Sequence, residues 1–251
     1  MEANRALYNY MLRIGDSCLI MGQRLAEWCS NGPILEEDLA MSNLSLDLFG
    51  QAEGYYVEAL KKNHAFENED HLAFRRNEQE YFNFLICEQE NGNFADTMAK
   101  LYLFSTYMQH LHEVLKEVDN STIASLSDRA LKEMIYHKRH SADWLKRLSL
   151  GTEESSEKMQ NALQKMWSYT ADLTARNEVD KAIETLLSVN LSVVEFNWKK
   201  EVEAYLASIK LEIPKESVQI TGGIDGKHTE KLGHLLCEMQ YLQRAYPDAK
   251  W

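Results

Sequence analysis

Only three prolines occur in 251 residues, at Pro33, Pro214 and Pro247, so residues 34–213 contain no residue that lacks a backbone N–H. Long proline-free stretches predict long helices, and the apolar spacing agrees. Over residues 5–29, Leu7, Met11, Ile14, Cys18, Leu25 and Trp28 recur every three or four positions, with Arg13, Asp16 and Arg24 between them as the polar side of an amphipathic helix. Asn31-Gly32-Pro33 stops it. A second helix is expected over 35–62, with acidic residues in its first turn and Leu39, Leu44, Leu46, Leu48 and Leu60 as its apolar positions. Residues 71–88 are expected to be helical. The turn Asn91-Gly92-Asn93 precedes a helix over 94–118, and Asp119-Asn120-Ser121 precedes another over 122–148. Thr152 is a natural N-cap for a stretch reaching 173, and shorter helices follow. Residues 211–227 hold Pro214 and the glycines Gly222, Gly223 and Gly226, marking an irregular connection before a terminal helix over 229–246. Four helices of about 25 residues are each about 37 Å long, the dimension of a long four-helix bundle. The expected architecture is therefore all-α. One domain spans 1–251, with a core bundle over 5–149 and helical decoration over 152–251.

A formal net charge of −12 and the lack of any dense Lys/Arg cluster exclude a phosphate backbone as partner, so no nucleic acid is expected. Cys18, Cys29, Cys87 and Cys237 are far apart and form no C-x-x-C pair, which fits neither a zinc site nor a disulfide framework and suggests a reducing compartment. The N-terminal MEANRALYNY carries no basic segment leading into an apolar run, and no window approaches 18 uninterrupted apolar residues. No membrane association is expected, and the location expected is cytoplasmic.

Long bundles of the ferritin-like kind hold two irons with a Glu on each of two helices and Glu-x-x-His on each of the other two. No Glu in this chain has a His three residues later. The one Asp-x-x-His, Asp225 to His228, falls in the glycine-rich connection. What remains are pairs four residues apart on one helix face: Gln23 with Glu27, Asn43 with Asp47, and Glu133 with His137. Glu133 and His137, with His140 one turn on, are either part of a metal sphere or a hydrogen-bonded pair. Asp47, among Leu44, Leu46, Leu48 and Phe49, is either a ligand or a polar group satisfied near the core. Tyr55-Tyr56 and Trp28, Trp144, Trp167 and Trp198 either line a pocket or fill the core. The run Glu67, Glu69 and Asp70 reads as a solvated face. Neither a nucleophile elbow nor a phosphate-binding glycine loop is present.

Several segments together resemble the structural C subunits of the ring 1,2-phenylacetyl-CoA epoxidases. They are Asp16 with Gly22-Gln23-Arg24-Leu25-Ala26-Glu27-Trp28-Cys29, Leu46-Asp47-Leu48-Phe49-Gly50-Gln51-Ala52, Asn91-Gly92-Asn93-Phe94-Ala95-Asp96-Thr97, Thr221-Gly222-Gly223, His228-Thr229-Glu230, and Glu238-Met239-Gln240-Tyr241-Leu242-Gln243-Arg244, continuing to Trp251. The resemblance covers almost the whole chain. It implies a ferritin-like subunit that supports a related catalytic A subunit, whose di-iron site epoxidises the aromatic ring with molecular oxygen. Electrons would come from NADPH through a separate reductase that carries flavin and iron-sulfur centres. Other subunits of the complex, and further copies of this chain, are the remaining expected partners. This chain is expected to hold no catalytic residue, metal or cofactor of its own. Glu27, Asp47, Glu133 and His137 are then candidates for remnants of a lost metal site. Gly222, Gly223, Lys227, His228 and Thr229 are either a partner-contact loop or a flexible surface turn. The competing expectation is a degenerate metalloprotein in which Glu133 and His137 join Glu27 and Asp47 in an unorthodox metal site.

Overall fold

A computed structural model describes residues 2–63, 66–215, 217–247 and 249, and the terminal Trp251 lies outside them. Among the described residues there is no β-strand. The four longest helices are α1 (Ala3–Ala26), α2 (Leu35–Leu60), α5 (Phe94–Leu115) and α6 (Ser121–Ser149). Their ends obey local chemistry. Glu36, Glu37 and Asp38 occupy the first turn of α2, and a capping box links Asn93 and Asp96 at the start of α5. The Asn120 side chain accepts from the Ile123 N–H at the start of α6.

The long helices form two antiparallel hairpins. In the first, Gly15 faces Tyr56 and Gly22 faces Phe49, where an added Cβ would run into either ring. In the second, Phe94 packs edge-on to Trp144. The hairpins meet along α2 and α6, where Tyr55 reaches Ser127, Gln51 reaches Glu133 and Asp47 reaches His137. Helix α7 (Glu153–Trp167) packs on α5 and α6, α9 (Glu178–Leu187) on α1, and α10 (Ser192–Ser208) on α5. A single apolar cluster runs from Ala6 to Leu236, so the later helices share the core of the long ones. Trp198, beneath α10, is buried in it, and its indole N–H donates to the Leu103 carbonyl. No helix of the described residues is long and apolar enough to cross a membrane.

Several expected elements are corrected. Residues 71–88 do not form one helix; they break into α3 (Glu69–Phe74), a 3-10 turn (Glu78–Glu80) and α4 (Leu85–Glu88). The N–H groups of Phe82, Phe84 and Leu85 donate instead to the side chains of Asp16, Ser17 and Asp172. Partners distant in sequence replace the i to i−4 ladder. The stretch expected to continue to 173 breaks after Trp167, because the Ser168 carbonyl accepts from Ile220, and resumes as α8 (Thr170–Thr174). The terminal helix divides into α11 (Glu230–Met239) and α12 (Tyr241–Ala245), with Gln240 turned inward between them to donate to the Arg76 carbonyl and the Tyr81 hydroxyl. The first helix ends at Ala26, and the chain turns through Ser30 at φ 67°.

Two assignments of helix face are also corrected. Arg13, Asp16 and Arg24, read as the polar side of α1, are all buried, because α9, the 76–82 segment and the turn after α4 cover that side. Leu39 and Leu46, read as core positions of α2, are 56% and 65% exposed.

Candidate functional site

The residues singled out as remnants of a metal site lie in two places. Along the α2–α6 seam, His137, itself fully buried, places Nε2 3.1 Å from Asp47 Oδ2, while the Asp47 side chain remains 40% exposed. One turn along, Gln51 Nε2 donates to Glu133 Oε2 at 2.7 Å, and Gln51 Oε1 accepts from the Cys18 thiol at 3.5 Å. Further inward, the Tyr55 hydroxyl lies 3.2 Å from Ser127 Oγ and 3.5 Å from His112 Nδ1. In the other direction, His140 Nε2 lies 3.1 Å from Glu37 Oε2. The seam is thus a ladder of pairs between helices. Glu27 takes no part in it. It caps the end of α1, where it accepts from Arg24 Nη1 at 2.7 Å and Asn91 Nδ2 at 2.9 Å.

These residues do not suit a di-iron centre. Such a centre needs several carboxylates and two imidazoles converging between the helices. Along the seam the carboxylates Glu37, Asp47 and Glu133 are strung out along the helices, each beside a different partner, His140, His137 and Gln51, and the groups further inward are a thiol and two hydroxyls. Among the described residues, no three or more His, Cys, Asp or Glu side chains are grouped so that they could hold a metal ion. Burial pushes the His112 imidazole down to about 3 and the Cys18 thiol up, so both are neutral in the folded interior at ordinary pH. His112 Nε2 is buried and has no hydrogen-bond partner among the described residues.

The strongest polar structures escaped the sequence reading. Asp16, fully buried, accepts from Tyr56 Oη at 2.5 Å, from Arg76 Nη1 at 3.0 Å, from Arg76 Nη2, and from the Phe82 N–H at 2.9 Å. The Arg76 guanidinium lies 4.2 Å from the centre of the Tyr81 ring. A second network surrounds Glu88, which is also fully buried. It accepts from Asn83 Nδ2 at 3.0 Å, from the Thr229 N–H at 2.7 Å and from the Thr229 hydroxyl at 2.8 Å. His228 Nδ1 lies 2.8 Å from the same carboxylate and Nε2 2.9 Å from the Tyr81 carbonyl. Both ring nitrogens face acceptors, so the imidazolium satisfies the site best. Burial opposes that charge, but the hydrogen bond to Glu88 and its charge raise the His228 pKa above the ordinary 6.5.

The glycine-rich connection is held by the same means. Gly222 and Gly223 donate their N–H groups to Asp172 Oδ1 at 2.8 and 3.1 Å, while Leu85 donates to Asp172 Oδ2 at 2.8 Å. A Cβ at Gly223 would collide with the Asn83 carbonyl oxygen. Of the five residues offered as a partner-contact loop, Gly222, Gly223, His228 and Thr229 are thus engaged within the chain, and Lys227 is exposed.

Lys100 is a further buried ionisable group. Its Nζ donates to the Gln89 carbonyl at 2.7 Å and to Asn91 Oδ1 at 3.1 Å. Burial, helped by nearby Arg24, lowers its pKa to about 7. Arg24 donates to the Glu88 carbonyl from Nε and Nη2, so two basic side chains secure the turn from 88 to 91. Asp16, Arg24, Asn91, Gly222, Gly223, His228 and Thr229 all belong to the motif segments that carry the family resemblance. That clustering was the available signal: the segments interlock in space.

The family model described as "Phenylacetic acid catabolic protein" matches residues 1–251. The C subunit of the 1,2-phenylacetyl-CoA epoxidase of Escherichia coli (strain K12) is 44% identical over 244 residues, covering 96% of this chain and 98% of that one.

Proposed function

Since the chain belongs to the phenylacetic acid catabolic protein family, we propose that it is the supporting helical subunit of a 1,2-phenylacetyl-CoA epoxidase and performs no oxygen chemistry itself. Its role in phenylacetate catabolism as an epoxidase subunit rests on the family match and on a relative of nearly the same length. The finer statement, that it supports catalysis without performing it, is carried by one observation. Where the long helices meet, Glu37, Asp47 and Glu133 are each paired separately, with His140, His137 and Gln51, and the groups beneath them are Cys18, Tyr55, His112 and Ser127, so no set of carboxylates and imidazoles converges on one point. On this reading the di-iron centre belongs to a catalytic partner subunit, and flavin, iron-sulfur and NADPH belong to a reductase. This chain contributes a rigid helical surface. Its buried charges, Asp16 with Arg76 and Glu88 with His228, fix the segments between the helices.

Turnover by purified components tests the proposal. The catalytic subunit with its reductase should form epoxide faster as this chain is added, up to saturation, and this chain with the reductase alone should form none. Product from this chain and the reductase alone would overturn the supporting role. It would favour the second reading, in which Asp47 and His137, already 3.1 Å apart, belong to an unorthodox metal site.

A further inference from the structure

Helix α2 has a face that no other described residue covers. Leu35, Leu39, Leu46 and Val57 are 71%, 56%, 65% and 36% exposed. Separations of 4, 7 and 11 residues each return an α-helix to nearly the same azimuth, so the four form one stripe, about 33 Å long at 1.5 Å per residue. Gly50 keeps the stripe flat, since a Cβ there would meet Arg129 Nη2 at 3.5 Å and nothing closer. Together with Tyr136 of α6, 53% exposed, the stripe presents roughly 500 Å² of accessible surface, well over half of the ~800 Å² that one partner contributes to a standard stable interface.

Beside the stripe, between α1, α2 and α3, lies a cavity of about 330 Å³. Its walls are apolar, from Leu19, Phe49, Ala52 and Phe74, and Glu53, Glu69 and Asp70 also line it. Among the described residues, none of these three carboxylates has an ion-pair partner within 4 Å. Glu53 lies 7 residues after Leu46 and 4 before Val57, on the azimuth of the stripe, so the cavity it lines adjoins the stripe. A long basic side chain suits both parts, its methylene stem against apolar walls and its charged head among carboxylates.

We infer that the outer face of α2 seats a helix of the catalytic subunit, and that a Lys or Arg of that helix enters the cavity toward Glu53, Glu69 and Asp70. This rests on the function proposed above and names the surface that performs it. A second copy of this chain fits less well, because the basic groups beside the stripe already have carboxylate partners, Lys61 at 2.5 Å from Glu58 and Arg129 at 3.5 Å from Glu133.

The test is equilibrium binding of the purified full-length chain to the catalytic subunit across a range of salt concentrations. Leu39→Asp with Leu46→Asp should weaken binding about 100-fold, as loss of central apolar anchors does. Glu53→Gln with Glu69→Gln and Asp70→Asn should weaken it about 10-fold at low salt and flatten its salt dependence. Phe196→Asp, on the exposed side of α10, should change neither. All the substituted side chains are solvent-accessible, so far-ultraviolet circular dichroism should match the wild type. Wild-type affinity in both sets of variants overturns the inference, and an unaltered salt dependence in the neutralised variant overturns the basic-side-chain assignment. A homodimer broken by Leu46→Asp while the heterocomplex stays intact would overturn it in favour of a second copy. If the wild-type chain does not bind the catalytic subunit at all, the proposed function fails along with the inference.

Discussion

Replacing Arg76 with Met should lower the unfolding free energy by about 3–5 kcal/mol, the cost of leaving one member of a buried ion pair without its counter-charge. Asp16 would then sit fully buried with only the Tyr56 hydroxyl and the Phe82 N–H to stabilise it. The loss concerns more than one pair. The guanidinium also donates to the carbonyls of Leu72 and Glu80, so it ties α1 to the 72–82 segment, whose Arg76 backbone carbonyl in turn accepts from Gln240 between the C-terminal helices. Adding Asp16→Leu should restore a large part of the stability, because removing both charges removes the uncompensated one. Urea denaturation followed by circular dichroism measures both variants. A single variant within about 1 kcal/mol of wild type would show that the pair is not the fixed point described here, since most harmless surface changes fall within about 0.5 kcal/mol.

Replacing Glu88 with Ala should cost about 3 kcal/mol or more, because the Asn83 amide, the Thr229 N–H and hydroxyl and the His228 imidazolium all lose their acceptor at a fully buried position. The same cluster sets a pH dependence whose sign follows from its geometry. The folded His228 pKa is raised above the unfolded value of 6.5. Its stabilising contribution is therefore complete below about pH 6.5 and is lost as pH rises through the folded pKa. The urea midpoint should fall more steeply on the alkaline side of neutrality in the wild type than in His228→Gln, which donates without titrating. Parallel pH profiles for the two proteins would show that His228 is not held as the cation.

The long helices were legible because their determinants are local. Asn93, Asn120 and Thr152 cap helices where their side-chain chemistry says they should, and apolar residues recur at helical spacing. The segment over 71–88 was not legible, because its backbone donors are taken by Asp16, Ser17 and Asp172, residues 66 to 87 positions away. Burial of charge failed for a related reason. Arg13, Asp16 and Arg24 look like the wet side of α1 until Asp180, Arg76 and the Glu88 carbonyl arrive from elsewhere in the chain.

The candidate site was partly legible. Spacing of four residues placed Glu133 beside His137 and Asn43 beside Asp47, each pair on one helix. The structure instead joins Asp47 to His137 and Gln51 to Glu133 across two helices, because helical periodicity fixes a shared face without fixing what lies opposite. Glu27 could not be placed by periodicity at all. The helix ends one residue before it, and its partners Arg24 and Asn91 belong to the turn that closes over that end.

The most direct test of a supporting, non-metal role is the iron content of the purified chain after anaerobic incubation with ferrous iron and desalting. A scaffold in which no three ligating side chains converge among the described residues should retain far less than one iron per chain, and Asp47→Asn with Glu133→Gln should leave that value unchanged. About two irons per chain, lost in the same double variant, would contradict the supporting role and move the oxygen chemistry into this subunit.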